Sequence, residues 1–338
     1  MLSSLLRVWS RKAFSFSWFF LIMANTLWAA SYVAAKFALQ DVSLNVMLAL
    51  RMGIAALLLL PLLIARRKQL KLTRQVIPQL LLLALVGFVL NKLLEYGGLA
   101  LTTASDVALL ITSESIFTAA LAWIVLRERF RPLTVFALLL GFFGVYLIVE
   151  RSLIPNIPAG GGVWRIVGDL LVVLALLVEA FYTIRGKVLL VKYSPLLITA
   201  ASIVISMLFW TPVAGWEIVK TGWHQPGLVA WLSIFWMGIM STAVAYLMWF
   251  QGLAKVEGSA AAATLFIQPL LGTVLAIVLL HEQLTAMTII GGMLIIVSVY
   301  LISFKAGART GKNRFSDEDE RDHRPSVIGT GAESEMHD

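Results

Sequence analysis

Cysteine is absent from the 338 residues, which excludes a disulfide framework, a thiolate nucleophile and any cysteine-based metal site. Charge is scarce as well: 14% of residues are Asp, Glu, Lys or Arg, whereas 59% are hydrophobic. A soluble chain carries roughly 25% charged residues, so this deficit points to lipid as the surrounding solvent. The four histidines, His224, His281, His323 and His337, form no H-E-x-x-H pair. No G-x-S-x-G elbow and no G-x-x-x-x-G-K-[ST] loop occurs either. These absences argue against a zinc or serine hydrolase and against a nucleotide-driven pump. No pore filter is recognisable, so a channel is not the expected form. No catalytic residue, metal site or cofactor is expected.

Apolar runs fill the space that charge leaves. Ten are long enough for a packed transmembrane helix, near 16–39, 45–65, 76–99, 104–126, 132–149, 167–189, 196–214, 228–250, 259–280 and 286–304. Arg7, Arg11 and Lys12 precede the first, which is too long for a signal-peptide core and reads as an uncleaved helix. Pro155, Pro158 and Gly160-Gly161-Gly162 mark a flexible linker over 150–165. From 305 to 338 the chain turns charged and loses its large apolar residues, as a disordered tail does.

The net charge of +8 follows membrane sidedness rather than nucleic-acid binding, and no nucleic-acid partner is expected. Of 27 lysines and arginines, 21 fall in segments on the side of the N-terminus. Only Arg151, Arg165 and Lys220 fall on the other side; Lys36, Arg51 and Lys92 lie within helices. The positive-inside bias puts both termini in the cytoplasm.

Two stretches 154 residues apart align without a gap. Gly98-Leu99-Ala100 falls on Gly252-Leu253-Ala254, Ser105 on Ser259, and Leu126-Arg127-Glu128 on Leu280-His281-Glu282. A fixed Glu closing an apolar run behind aligned glycines indicates an internal duplication. Five helices per copy is an odd number, so the second copy lies upside down relative to the first. The expected fold is therefore all-α and polytopic, with ten transmembrane helices as two inverted five-helix repeats, 16–149 and 166–304. Inverted repeats recur in secondary transporters, where two pseudo-symmetric halves open a central site alternately to either side.

The motifs resemble the drug/metabolite transporter superfamily, and within it the ten-helix EamA-type exporters. They are Leu27-Trp28 with Lys36, Leu50-Arg51 with Ala55-Ala56, Thr103-Ala104-Ser105, Phe117-Thr118-Ala119 running to Leu126-Arg127-Glu128, and Gln268-Pro269 running to Leu280-His281-Glu282. Two positions depart from the pattern. Ser115 replaces a frequent proline opposite Pro269, and Glu179 stands where a tryptophan or small residue is expected. The resemblance implies an exporter of small polar or amphipathic metabolites, such as amino acids, in a bacterial inner membrane. A facilitative exchanger, a lipid or nucleotide-sugar-type carrier, and a membrane enzyme or scaffold are the alternatives on the same fold evidence.

Ionisable groups at bilayer depth are expensive and usually face a partner or a wet cavity. Glu114 and Glu179 are the deepest and are the candidates for binding and releasing a proton during transport. Lys92 and Glu95 stand three apart and are expected to pair; Arg51 is expected to hold a structural partner. Pro269 should kink its helix and turn Gln268 toward the cavity. Trp28, Tyr32, Tyr96, Tyr182, Tyr246 and Trp249 complete the candidate substrate site, as aromatic walls suit an amphipathic solute or a cation. Gly141, Gly144 and Gly291-Gly292 offer close-packing surfaces that leave the oligomeric state open.

Overall fold

The computed structural model describes residues 2–66, 68, 73–99, 101, 110–128, 132–150, 162–271, 274, 286 and 289–301. Side chains before Phe16 are outside this set, and so are most of the 150–165 linker and the whole 305–338 tail. The described residues form ten helical segments and contain no strand. They are α1 (Leu2–Ala38), α2 (Leu44–Ala65), α3 (Ile77–Ala84, Leu85–Leu90 and Asn91–Leu99 in succession), α4 (Ser113–Leu126) and α5 (Pro132–Glu150). The second half holds α6 (Gly162–Leu189), α7 (Pro195–Thr221), α8 (Leu228–Leu253), α9 (Gly258–Leu271) and α10 (Ile289–Leu301). Five are long and apolar enough to cross a bilayer by length and composition, and five more are shorter apolar helices.

Several boundaries differ from the expected ones, and α6 begins at Gly162, inside the segment expected to be linker. Helix α1 runs back to Leu2, because nothing before residue 16 breaks a helix. Helix α7 runs on to Thr221 and stops only where Gly222 takes φ 83°, a left-handed value that glycine adopts without cost.

The two halves are built alike. Ser43 caps α2 by accepting the Val46 N–H, and Ser194 caps α7 by accepting the Leu197 N–H. Helices α3 and α8 both widen into π-helical turns, over Leu85–Leu90 and Met237–Val244, which overlap when superposed at the repeat offset. A wide turn loosens the ladder of backbone bonds, and an indole from the other half answers in each case. Trp210 of α7 donates to the Phe88 carbonyl at 3.0 Å, and Trp28 of α1 donates to the Ser241 carbonyl at 3.0 Å.

Packing between the halves is reciprocal. Helix α1 lies against α8 as α6 lies against α3, while α2 meets α7 and α4 meets α9. The same exchange appears between α5 and α10. A side chain at Gly144 would meet the Gly291 carbonyl at 2.7 Å, and the equivalent Ser298 hydroxyl donates to the Ala137 carbonyl at 2.5 Å. Gly144 and Gly291 meet at this internal crossing, while Gly141 and Gly292 face Phe266 and Leu270 of α9. The chain is an all-α polytopic membrane protein of ten helices in two inverted five-helix repeats. Large apolar side chains such as Leu57, Leu139, Leu170 and Leu232 cover its exposed belt.

Glu128 has a specific duty at the end of α4. The chain turns sharply there, with Arg127 at φ 54°. The Glu128 carboxylate then accepts from the Gly258 N–H at 2.6 Å, the Ser259 N–H at 3.0 Å and the Ser259 hydroxyl at 2.7 Å. Glu128 thus caps the N-terminus of α9 from the other repeat. Glu128→Ala is expected to cost about 1–2 kcal/mol of stability. A lower thermal midpoint in detergent, partly recovered in Glu128→Gln, would show it.

Candidate functional site

A broken helix and a turn meet at the centre. Helix α9 loses its regular bonding at Leu265-Phe266, four residues ahead of Pro269, whose missing N–H and bulky ring prevent the ladder from passing. The Gln268 N–H bonds back to the Leu265 carbonyl at 3.0 Å, a tighter turn than an α-helix makes. The chain makes a turn at the equivalent place, just ahead of α4. Ile111-Thr112 form a turn, and the Glu114 N–H bonds to the Ile111 carbonyl at 3.1 Å. Glu114 and Gln268 are therefore the same position in the two copies, each placed by a break just before it.

These breaks open onto a cavity of about 60 Å³, enough for a few waters or a small polar head group. Glu114 and Glu179 face it together with Gln268, Trp28, Tyr96 and Tyr246. Six of the nine candidate substrate residues thus converge from six different helices. Tyr182 and Trp249 are fully buried but lie behind the wall. Trp249 packs against Trp28 at 5.4 Å between ring centroids, and Tyr182 stands edge-on to Phe88 and Phe250 at 5.4 and 5.5 Å. They support the aromatic wall rather than form its surface. The side chains of Tyr32 and Lys36 lie outside the described residues.

Charged groups expected to serve structure also line the cavity. Lys92 pairs with Glu95 at 2.6 Å, with both side chains only about an eighth exposed. Arg51 donates through Nε to the Thr242 hydroxyl and through a terminal nitrogen to the Ser241 hydroxyl at 3.2 Å. Tyr96 lines the same cavity. The wide turn of α8 is what brings Ser241 and Thr242 to this guanidinium. Glu179 lines the cavity together with Tyr246, and its Oε2 is buried without a partner among the described residues.

Asn91 also lines the cavity and Asn25 holds Gln268 from behind it, and neither was singled out in the sequence. Asn91 presents itself at the end of the wide turn of α3 and donates to the Ala175 carbonyl at 2.9 Å, leaving its Oδ1 unpartnered. Asn25 bonds the Leu21 carbonyl at 2.7 Å and the Thr264 hydroxyl at 3.0 Å, and it accepts from Gln268 at 2.9 Å. Gln268 is therefore held by α1, not free to swing. The only sequence signal for either residue is an amide in the middle of an apolar run. Ser115, in the place of the second proline, is buried with its hydroxyl unpartnered.

A wet, charged hollow at mid-membrane, bounded by discontinuous helices from two inverted copies, is how secondary transporters hold a solute. The sequence profile of the EamA-like transporter family matches the chain twice, over residues 15–150 and 166–304. The chain belongs to the EamA-like transporter family. Similar curated proteins are named in the same terms. An "Uncharacterized transporter" of Archaeoglobus fulgidus is 26% identical over 288 residues, covering 84% of this chain and 96% of the relative. The "Uncharacterized transporter YetK" of Bacillus subtilis is 24% identical, covering 84% of this chain and 86% of its own length. A crystal structure with 17% sequence identity superimposes with a TM-score of 0.73, covering 86% of this chain and 98% of that one. It shares the fold. The EamA-like chain is a transporter integral to the membrane.

Proposed function

We propose that this EamA-like protein exports small amphipathic metabolites bearing an amino group, amino acids among them, by alternating access coupled to proton exchange. One observation carries the reading: Glu114 of α4 and Glu179 of α6 line one cavity, beside the paired Lys92. A carboxylate there exchanges a proton with whichever side the cavity opens to. Trp28, Tyr96 and Tyr246 supply the apolar wall. Repeats 16–149 and 166–304 act as the two moving bodies, joined by the 150–165 linker, and the site stays fixed between them. Both termini and the 305–338 tail lie in the cytoplasm, with the protein in a bacterial inner membrane.

The natural absence of cysteine makes sidedness directly measurable. Arg131→Cys is expected to react with an impermeant maleimide from the cytoplasmic side only, and Gln283→Cys from the outside only. Labelling of both from one side would remove the inverted arrangement and the alternating-access mechanism with it. The transport reading itself is tested by solute flux in sealed proteoliposomes, with and without a pH gradient. No flux above protein-free vesicles across an amino-acid and amine panel would refute it.

A further inference from the structure

Two amide side chains line the central cavity, Asn91 at the end of the wide turn of α3 and Gln268 beside Pro269 in α9. An amide has a donor end and an acceptor end, and its surroundings decide which one a solute meets. Here two backbone carbonyls decide it, because a carbonyl can only accept. The Asn91 nitrogen lies 2.9 Å from the Ala175 carbonyl of α6, so that end is the NH2 group. The other end is Oδ1, buried and without a partner among the described residues.

Gln268 is fixed at one remove. Asn25 of α1 directs its nitrogen to the Leu21 carbonyl at 2.7 Å and to the Thr264 hydroxyl at 3.0 Å. Its Oδ1 therefore faces Gln268, 2.9 Å away, where only the NH2 end of that amide can meet it. Gln268 is left with its carbonyl oxygen as the end for a solute. Turning either amide over would set oxygen against oxygen in a buried place, losing a bond and adding a repulsion. Two donors in the lining are directed into the protein. The lone Trp28 N–H goes to the Ser241 carbonyl, and the Ser31 hydroxyl goes to the Trp28 carbonyl.

We infer that Asn91 and Gln268, one from each repeat, determine specificity: their carbonyl oxygens take two N–H groups of the solute's amino group. Asn25 stands outside the lining and is the positioning residue that locks Gln268. On the transport reading of this cavity, on which this rests, the amino-group metabolites narrow to primary and secondary amines. A tertiary or quaternary nitrogen brings too few hydrogens and leaves a buried acceptor unmet, which a site built for hydrogen bonds rejects strongly. Selection thus follows the hydrogens of the head group at constant charge.

The probes are phenylalanine and its N-methyl, N,N-dimethyl and N,N,N-trimethyl derivatives, zwitterions with the same ring that differ in the N–H groups they keep. Competition against labelled phenylalanine uptake in proteoliposomes, at equal pH on both sides, ranks them. The first methyl leaves two hydrogens for two oxygens and is expected to weaken competition less than about twofold, while the second and third are each expected to weaken it about tenfold. Bulk alone would weaken competition evenly from the first methyl onward. That result overturns the inference, as does equal competition by all four. Gln268→Leu leaves one acceptor, so the second-methyl step is expected to vanish and the third to remain. Asn25→Leu lets Gln268 turn and is expected to shrink the second-methyl step too, a change that a merely structural role would not produce. An intact step there overturns the locked orientation. Uptake of the trimethyl form but not of phenylalanine would overturn the inference and leave the transport reading standing. If no member of the series is taken up, both fall.

Discussion

Glu179→Gln is expected to abolish the response of transport to a pH gradient, with gradient-driven flux falling about a hundredfold. The substitution keeps the size and shape of the side chain, so its place beside Tyr246 in the lining is retained. What it removes is the capacity to bind and release a proton beside an oxygen that has no other partner. Glu114→Gln provides the matched comparison. Its repeat mate is Gln268, so the variant makes the two helices alike at that position without a foreign shape. Loss of gradient-driven flux in both variants, with solute exchange between equal pH values retained, would assign the coupling to this pair. Full gradient-driven flux in both would show that coupling lies elsewhere and leave facilitated exchange in its place.

Much of the architecture could be read without coordinates because its signals are periodic and long. Apolar runs and the lysine and arginine bias mark the helices, and the Gly98–Gly252 and Glu128–Glu282 correspondences mark the duplication. Local chemistry also placed one feature of the site: Pro269 breaks α9 and turns Gln268 inward. The matching turn ahead of α4 has no such mark, since Ser115 stands in the place of proline. There the turn at Ile111-Thr112 belongs to the packed pair α4 and α9, a contact between residues far apart in the chain. The wide turns of α3 and α8 escaped notice for the same reason. Their loosened carbonyls are satisfied by Trp210 and Trp28, 122 and 213 residues away. Tyr182 lies behind the cavity wall for a different reason. It stands three residues from Glu179, which puts both on one helical stripe, yet a stripe is wider than the cavity's edge. Glu179 reaches the hollow, whereas the Tyr182 ring is stopped against Phe88.

The aligned glycines have a steric cause that neighbouring variants can isolate. A side chain added at Gly98 would meet the Gly168 carbonyl at 2.7 Å and the Val172 backbone nitrogen at 3.0 Å. One added at Gly252, its repeat mate, would meet the Ser17 carbonyl at 2.8 Å. A side chain, Val172 or Leu21, stands at 2.7 Å in each case as well, but the backbone of the partner helix cannot turn aside as a side chain does. These are the points where α3 crosses α6 and α8 crosses α1, so they hold the two halves in register. Gly97, one residue away, has nothing within 4 Å of the same added atom. Gly98→Val is therefore expected to cost about 3 kcal/mol or more, by forcing the helices apart or preventing their assembly. Gly97→Ala is expected to be neutral or slightly stabilising, since alanine is the better helix former by about 1 kcal/mol. Thermal midpoints and the folded fraction after detergent extraction distinguish the two directly. Because the obstacle at Gly98 lies across the interface between the repeats, a tolerated valine there would contradict the close crossing of α3 and α6 on which the position of Glu179 depends.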